Sequence, residues 1–180
     1  IIYAARNLQD GEKLDIITLG ALSNIASALI EAPDIVYKIR LISLGARYNP
    51  TTNTWNKNEF NIRNDLNAFD FLLNLENLDF TIMPLDAALP LQFKRKDTFE
   101  RLNLANPVEA ILKKRWDEHF PKADNWVMWD LAVVEAYLLP QYCTINQVTT
   151  PPENTQRQVK VYTKIDEEVM AEDFWSRLRK

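Results

Sequence analysis

Cysteine, histidine and glycine are all scarce in this chain of 180 residues, which holds one Cys, one His and three Gly. The lone thiol, Cys143, excludes an internal disulfide and any cysteine-based zinc cluster, and its apolar surroundings mark a buried, inert group. The lone imidazole, His119, lies in a highly charged stretch beside Glu118 and Phe120 and reads as a surface residue rather than a general acid. An excess of basic residues is also missing. At a net charge of −4, a nucleic-acid backbone is disfavoured as partner, because neutralising phosphates takes surplus Lys and Arg on one face. No run of eighteen apolar residues exists to span a membrane. Residues 1–7 lack the charged start and long apolar middle of a signal peptide. There is no internal repeat and no low-complexity linker. Nothing fixes a compartment, and the cytoplasm is the default.

What is present is an apolar fraction of 47%, enough for a sizeable core in one ordinary domain. Its pattern alternates strand and helix. Residues 15–19 form a short apolar run ended by Gly20, as expected of a buried parallel strand. Ser23 or Asn24 then offers a cap for a helix through Ile25, Ala26, Leu29 and Ile30, closed near Pro33. A second strand, 39–44, ends at Gly45 and opens into a polar loop over 47–58, long enough to suggest function. Asp65 caps a helix with Ala68, Phe69, Leu72 and Leu73 on one face, and a third strand covers 80–85. Residues 94–124 read as charged helix with Phe99, Leu102, Val108, Ile111, Leu112 and Trp116 as the buried stripe. A helix over 130–139 stops at Pro140, strands are expected at 144–145 and 159–162, and a short amphipathic helix closes the chain at 174–178. This order predicts an open, mostly parallel α/β sheet with flanking helices, whose ligand sites gather beyond the carboxyl ends of the strands. Residues 1–5 read as the interior of a buried helix with no start signal before it, which suggests that the natural chain begins earlier.

Two clusters carry chemistry. Trp129-Asp130 sets a carboxylate beside an aromatic ring at a helix start, and Asn53 with Glu59-Phe60-Asn61 gathers two amides and a carboxylate in a loop-like segment. Such groups suit a polyhydroxylated ligand. Each also has a plainer reading. Asp130 alone reads as an N-cap, Trp129 as core, Glu59 and Asn61 as surface polars, Asp65 as a helix cap and Asp86 as a turn residue. Arg47 and Lys57 read as solvated, and Trp116, Trp126 and Trp175 as core.

The motifs in order resemble those of the nucleoside hydrolases. Ile17-Thr18-Leu19-Gly20-Ala21-Leu22-Ser23-Asn24-Ile25-Ala26 resembles that family's "LGPLTNIA" segment, with Ala21 for Pro or Gly and Ser23 for Thr. Glu59-Phe60-Asn61-Ile62 and 65–68 resemble "EFNI..DPEAA", residues 81–86 resemble "TMVPLD", and Trp129-Asp130 falls where members carry "HDP" or "WD". The resemblance covers nearly the whole chain but only the later part of the family's domain, so residues 1–180 are expected to be the C-terminal portion of one Rossmann-like, nucleoside hydrolase-like domain, incomplete at the N-terminus. It implies hydrolysis of the N-glycosidic bond of a ribonucleoside to ribose and free base, with one Ca²⁺ at the strand ends. By position, Asp130 and the main-chain carbonyl of Leu19 match calcium ligands, and Asn53, Glu59 and Asn61 match ribose-binding residues. The chemistry asks for the same parts, since a departing base leaves an oxocarbenium-like ribosyl centre that needs carboxylates and oxygen donors near the sugar.

There are two departures. The family's Asp-rich opening motif "DTDxGxDD" is absent, so these residues alone are not expected to catalyse. Trp129 stands where many members place a His that protonates the base, and the resemblance is closer to the purine-preferring branch, in which a Trp stacks on the leaving purine. An aromatic face favours a cationic ring by ~1–2 kcal/mol when desolvated. The alternative reading is a non-catalytic nucleoside- or ribose-binding relative that lost the acidic cluster. A third is a purely structural subunit, in which Asn53, Glu59, Asn61 and Asp130 would not converge. The partner implied is a small-molecule nucleoside, and a homo-oligomer is the default implied by the family.

Overall fold

The computed structural model describes residues 1–179. In chain order the elements are α1 (Ile2–Arg6), β1 (Leu14–Thr18), α2 (Ser23–Glu31), a 3-10 turn at Pro33–Lys38, β2 (Ile39–Leu44), β3 (Arg47–Asn49), β4 (Thr54–Asn56), α3 (Phe60–Asn64), α4 (Leu66–Asn74), β5 (Asp79–Met83) and α5 (Leu85–Ala88). There follow β6 (Gln92–Lys94), α6 (Arg95–Arg101), α7 (Pro107–His119), β7 (Asn125–Val127), α8 (Trp129–Leu138), β8 (Cys143–Thr149), β9 (Gln158–Ile165) and α9 (Glu167–Leu178). The main sheet runs β1-β2-β5-β9-β8, with the first four strands parallel and β8 antiparallel at one edge. This is the open, mostly parallel α/β architecture that the strand-helix alternation predicts.

The strand period of two divides the core. In β2, Ile39 and Leu41 face one side and pack with α2 and α4, whereas Ile42 and Leu44 face the other and pack with α5, α8 and α9. Phe80 and Ile82 of β5 join the first cluster and Met83 the second. Asp65 caps α4 as expected, its carboxylate accepting from Ala68 N at 3.0 Å.

Several local expectations are corrected. Residues 47–58 are not a loop: β3 and β4 pair as an antiparallel hairpin, with Tyr48 opposite Trp55, and their ring centroids lie 4.9 Å apart. Aromatic pairing across the strands supplies the apolar contact that the polar composition hid. Helix α2 is capped at Leu22, not at Ser23 or Asn24, and the Ser23 hydroxyl instead donates to Asp65 Oδ2. The third strand stops at Met83, because Leu85 begins α5. Lys57 is enclosed rather than solvated, paired with Asp70 and Glu153. The stripe on α7 is only partly buried: Trp116 is inside, while Val108 and Ile111 are each 57% exposed. The opening helix is no core interior, since only Ala5 is buried in α1. It lies against the 3-10 turn, tied there by Arg6 and Asp34.

Where α8 meets α9, the buried Glu135 faces Asp173 and Arg177, and its Oε2 has no hydrogen-bond partner among the described residues. What β2 and α5 contribute to this cluster is apolar, Ile42 and Leu44 with Ala87 and Ala88. Burial first, then the hydrogen bond and like charge of Asp173, push the Glu135 carboxyl up to about 7 from an ordinary value of 4.5, while Arg177 opposes the shift. A carboxyl whose folded value is raised binds its proton more tightly in the native state, so its contribution is fully present below about 4.5 and is lost as pH rises through about 7. Glu135→Gln, which mimics the protonated form, should leave the melting temperature at pH 4 nearly unchanged and raise it at pH 8 by about 5 °C. Thermal melts at the two pH values check this, and an equal change at both would refute the assignment.

Candidate functional site

The carboxyl ends of β1, β2 and β5 deliver the residues of interest to one edge of the sheet. Asn61, in the first turn of α3, is 9% exposed. Its side-chain amide donates to the Leu19 carbonyl at 3.3 Å and to the Leu44 carbonyl at 3.4 Å. One side chain thereby holds together the chain just after β1 and the end of β2. Glu59 is the N-cap of α3 and is buried. Its Oε1 accepts from Asn61 N at 3.1 Å, and its Oε2 accepts from Ile62 N at 3.2 Å and from Ala46 N at 3.4 Å. A carboxylate has about four acceptor positions, so three of these are taken by backbone.

Gly45 makes this packing possible. A Cβ there would stand 2.7 Å from Ile62 Cδ1 and 3.3 Å from Glu59 Oε2. Gly45→Ala should push α3 outward and destabilise the fold by about 1–3 kcal/mol, read as a lowered denaturation midpoint. An unchanged midpoint would show that α3 is not seated as described.

Asn53 is placed differently. It sits exposed in the β3–β4 turn with a left-handed φ of 53°, a conformation that Asn tolerates better than most residues. Its Oδ1 accepts from the Tyr48 hydroxyl at 2.8 Å, and it makes no hydrogen bond to Glu59 or Asn61. The hairpin itself is tied to the same sheet edge by Asp86, which accepts from Arg47 at 2.9 Å and from Tyr48 N at 3.1 Å. The bland reading of Arg47 as solvated and Asp86 as a turn residue missed this clasp. No short-range pattern links residues 39 positions apart.

Trp129 and Asp130 occupy the first two positions of α8, whose N-cap is Met128, so Asp130 is not the cap. The last turn of α8 is joined to β1 by Tyr137, whose hydroxyl donates to Asp15 Oδ2 at 2.8 Å. The start of α8 is held to the segment after α5, where Met128 N donates to the Leu91 carbonyl at 2.8 Å. Trp129 is half-buried against the second core cluster. Asp130 keeps a solvent-facing side, yet the atoms packed round it desolvate its carboxyl and raise its pKa above the usual carboxylate range. Among the described residues it has no hydrogen-bond or ion-pair partner.

A partly desolvated carboxylate without a partner among the described residues suits a hard cation, and Ca²⁺ takes six to eight oxygens. Asp130 and the Leu19 carbonyl provide two sources, and among the described residues no three His, Cys, Asp or Glu side chains group to hold a metal. The donor set is thus partial, and a calcium ion here needs oxygens from elsewhere. Cys143 takes no part: it is half-buried and burial pushes its thiol up to about 11.

Comparison with known proteins agrees with this fold. No curated protein sequence matches the chain. Among solved structures, an inosine-uridine preferring nucleoside hydrolase from Bacillus anthracis superposes with a TM-score of 0.76 at 17% identity, covering 98% of this chain and 63% of that one. A purine-preferring ribonucleoside hydrolase from Gardnerella vaginalis gives 0.70 at 22% identity, with the same two coverages. An inosine-guanosine nucleoside hydrolase gives 0.78 at 16% identity, covering 97% of this chain and 64% of that one. At such identities these likenesses show the fold, and the chain spans somewhat less than two thirds of the length of each of these structures. The family model described as inosine-uridine preferring nucleoside hydrolase matches residues 1–174, nearly the whole sequence, and the chain belongs to that family.

Proposed function

We propose that the complete protein hydrolyses the N-glycosidic bond of ribonucleosides, purines in preference, giving ribose and the free base. One water is consumed: its hydroxyl goes to C1′, the bond from C1′ to the base nitrogen breaks, and the base leaves with a proton. The observation that carries this reading is the joining of Asn61, Glu59 and the Leu19 carbonyl at the strand ends. Asn61 and Glu59 are assigned to the ribose hydroxyls, the Asn61 Oδ1 and the remaining carboxylate position both accepting, and Asn53 reaches the sugar from the hairpin turn. Asp130 and the Leu19 carbonyl are assigned to Ca²⁺. When bound, that ion polarises water and sugar hydroxyls. Trp129 provides an apolar, π-rich face beside the departing base, where a protonated purine is stabilised.

The test is release of reducing sugar from inosine, guanosine and uridine by the complete protein with calcium. Ribose and base in equal amounts, faster from the purines, are expected. Nucleoside binding without ribose release would instead favour a non-catalytic binder. The metal assignment makes a separate prediction. With two donor residues at the site, the 180-residue chain alone should bind Ca²⁺ more weakly than about 10 μM, since tight sites depend on ligand number and charge. Calorimetric titration checks this, and micromolar or tighter binding would show the ligand set to be wrong.

A further inference from the structure

Between β6, α6, α7, β7 and α9, the second core cluster encloses a cavity of about 180 Å³. Its walls are mainly aromatic: Phe93, Trp116, Trp126, Phe174 and Trp175, with Met128 beside them. The rings hold one another in place, Phe93 stacked on Trp175 at 5.6 Å and Trp116 edge-on to Trp126 at 5.4 Å. They do not fill the space between them. Leu102 and Leu112 complete the apolar lining, and Thr98 is the one hydroxyl-bearing residue in it. Leu112 is 40% exposed, so the cavity reaches the surface along α7.

Packed interiors rarely leave voids larger than a water molecule. An apolar cavity of roughly 150 Å³ stays dry and accepts benzene or xenon. We propose that this cavity is a binding site for a small uncharged aromatic molecule, of toluene to indole size. The lining decides the class. A purine would bring several ring nitrogens and exocyclic groups to walls with a single hydroxyl-bearing residue, leaving polar atoms unmet. A carboxylate or ammonium would be desolvated with no counter-charge among the lining residues. A flat hydrocarbon matches both the volume and the ring faces. The occupant would also touch Met128, the N-cap of α8, which directly precedes Trp129 and Asp130.

The inference is independent of nucleoside hydrolysis and is tested by binding alone. The complete protein, titrated with toluene, should show saturable shifts in the indole N–H resonances of Trp116, Trp126 and Trp175, with a Kd of about 0.1–1 mM as ligand efficiency allows. Benzoate, the charged analogue, should bind at least about tenfold more weakly. Leu112→Trp should close the mouth and abolish the shifts, and Thr98→Ile, which narrows the cavity from another helix, should weaken them if the first variant does not fold. Absence of saturable shifts, equal binding of benzoate, or toluene binding unchanged by both substitutions would overturn the proposal.

Discussion

In the complete protein, Asp130→Ala is expected to reduce kcat/KM on inosine by about a hundred- to a thousandfold, together with a loss of calcium affinity of at least about tenfold. The scale follows from metal sites in general, where removing even an outer partner of a ligand costs 10- to 100-fold, and from the several kcal/mol that a positioned charge contributes to an oxocarbenium-like transition state. Folding should survive, because Asp130 lies at a helix start, partly exposed and bonded to no described residue. Asp130→Asn keeps the size and one neutral oxygen, and should recover part of the calcium affinity. Steady-state kinetics paired with calcium titration are the measurement. A loss in kcat/KM below about threefold, with the fold intact, would remove Asp130 from the site.

The second large effect concerns the leaving base. Trp129→Ala should reduce kcat/KM on inosine and guanosine by roughly ten- to a hundredfold, taking base-to-tryptophan stacking as ~1–3 kcal/mol, and should reduce it less on uridine. A pyrimidine offers a smaller ring and no N7 to protonate. Trp129→His asks whether a titrating side chain at this position can protonate the base directly, since His ionises near neutral pH. Equal losses on purines and pyrimidines would make Trp129, already half-buried against α8's core cluster, a packing residue and nothing more.

The parallel sheet was legible because its signals are local. Apolar runs at 15–19, 39–44 and 80–83 meet glycine or proline, and the buried face of α4 recurs at helical spacing through Ala68, Phe69, Leu72 and Leu73. Glu59 and Asn61 were legible as a motif, though not in their structural work. Their role as a cap and as a tie between two strand ends depends on backbone groups far off in sequence. The β3–β4 hairpin was missed because its strands are three residues each and largely polar, so that Tyr48 against Trp55 carries the pairing. Sequence spacing also over-read α7, whose apolar stripe is real but lies largely in solvent at Val108 and Ile111. Periodicity says that a helix has an apolar face, and only the tertiary structure says what covers it.

The claim on which the rest depends is that the Leu19 carbonyl and Asp130 share one cation beside Glu59 and Asn61. A crystal structure of the complete protein with Ca²⁺ and ribose tests it directly. The expected result is one ion with both the Leu19 oxygen and an Asp130 carboxylate oxygen at about 2.3–2.6 Å, and ribose hydroxyls within hydrogen-bond reach of Glu59 and Asn61. An ion bound elsewhere, or the Leu19 and Asp130 oxygens too far apart to meet on a single ion, would contradict it.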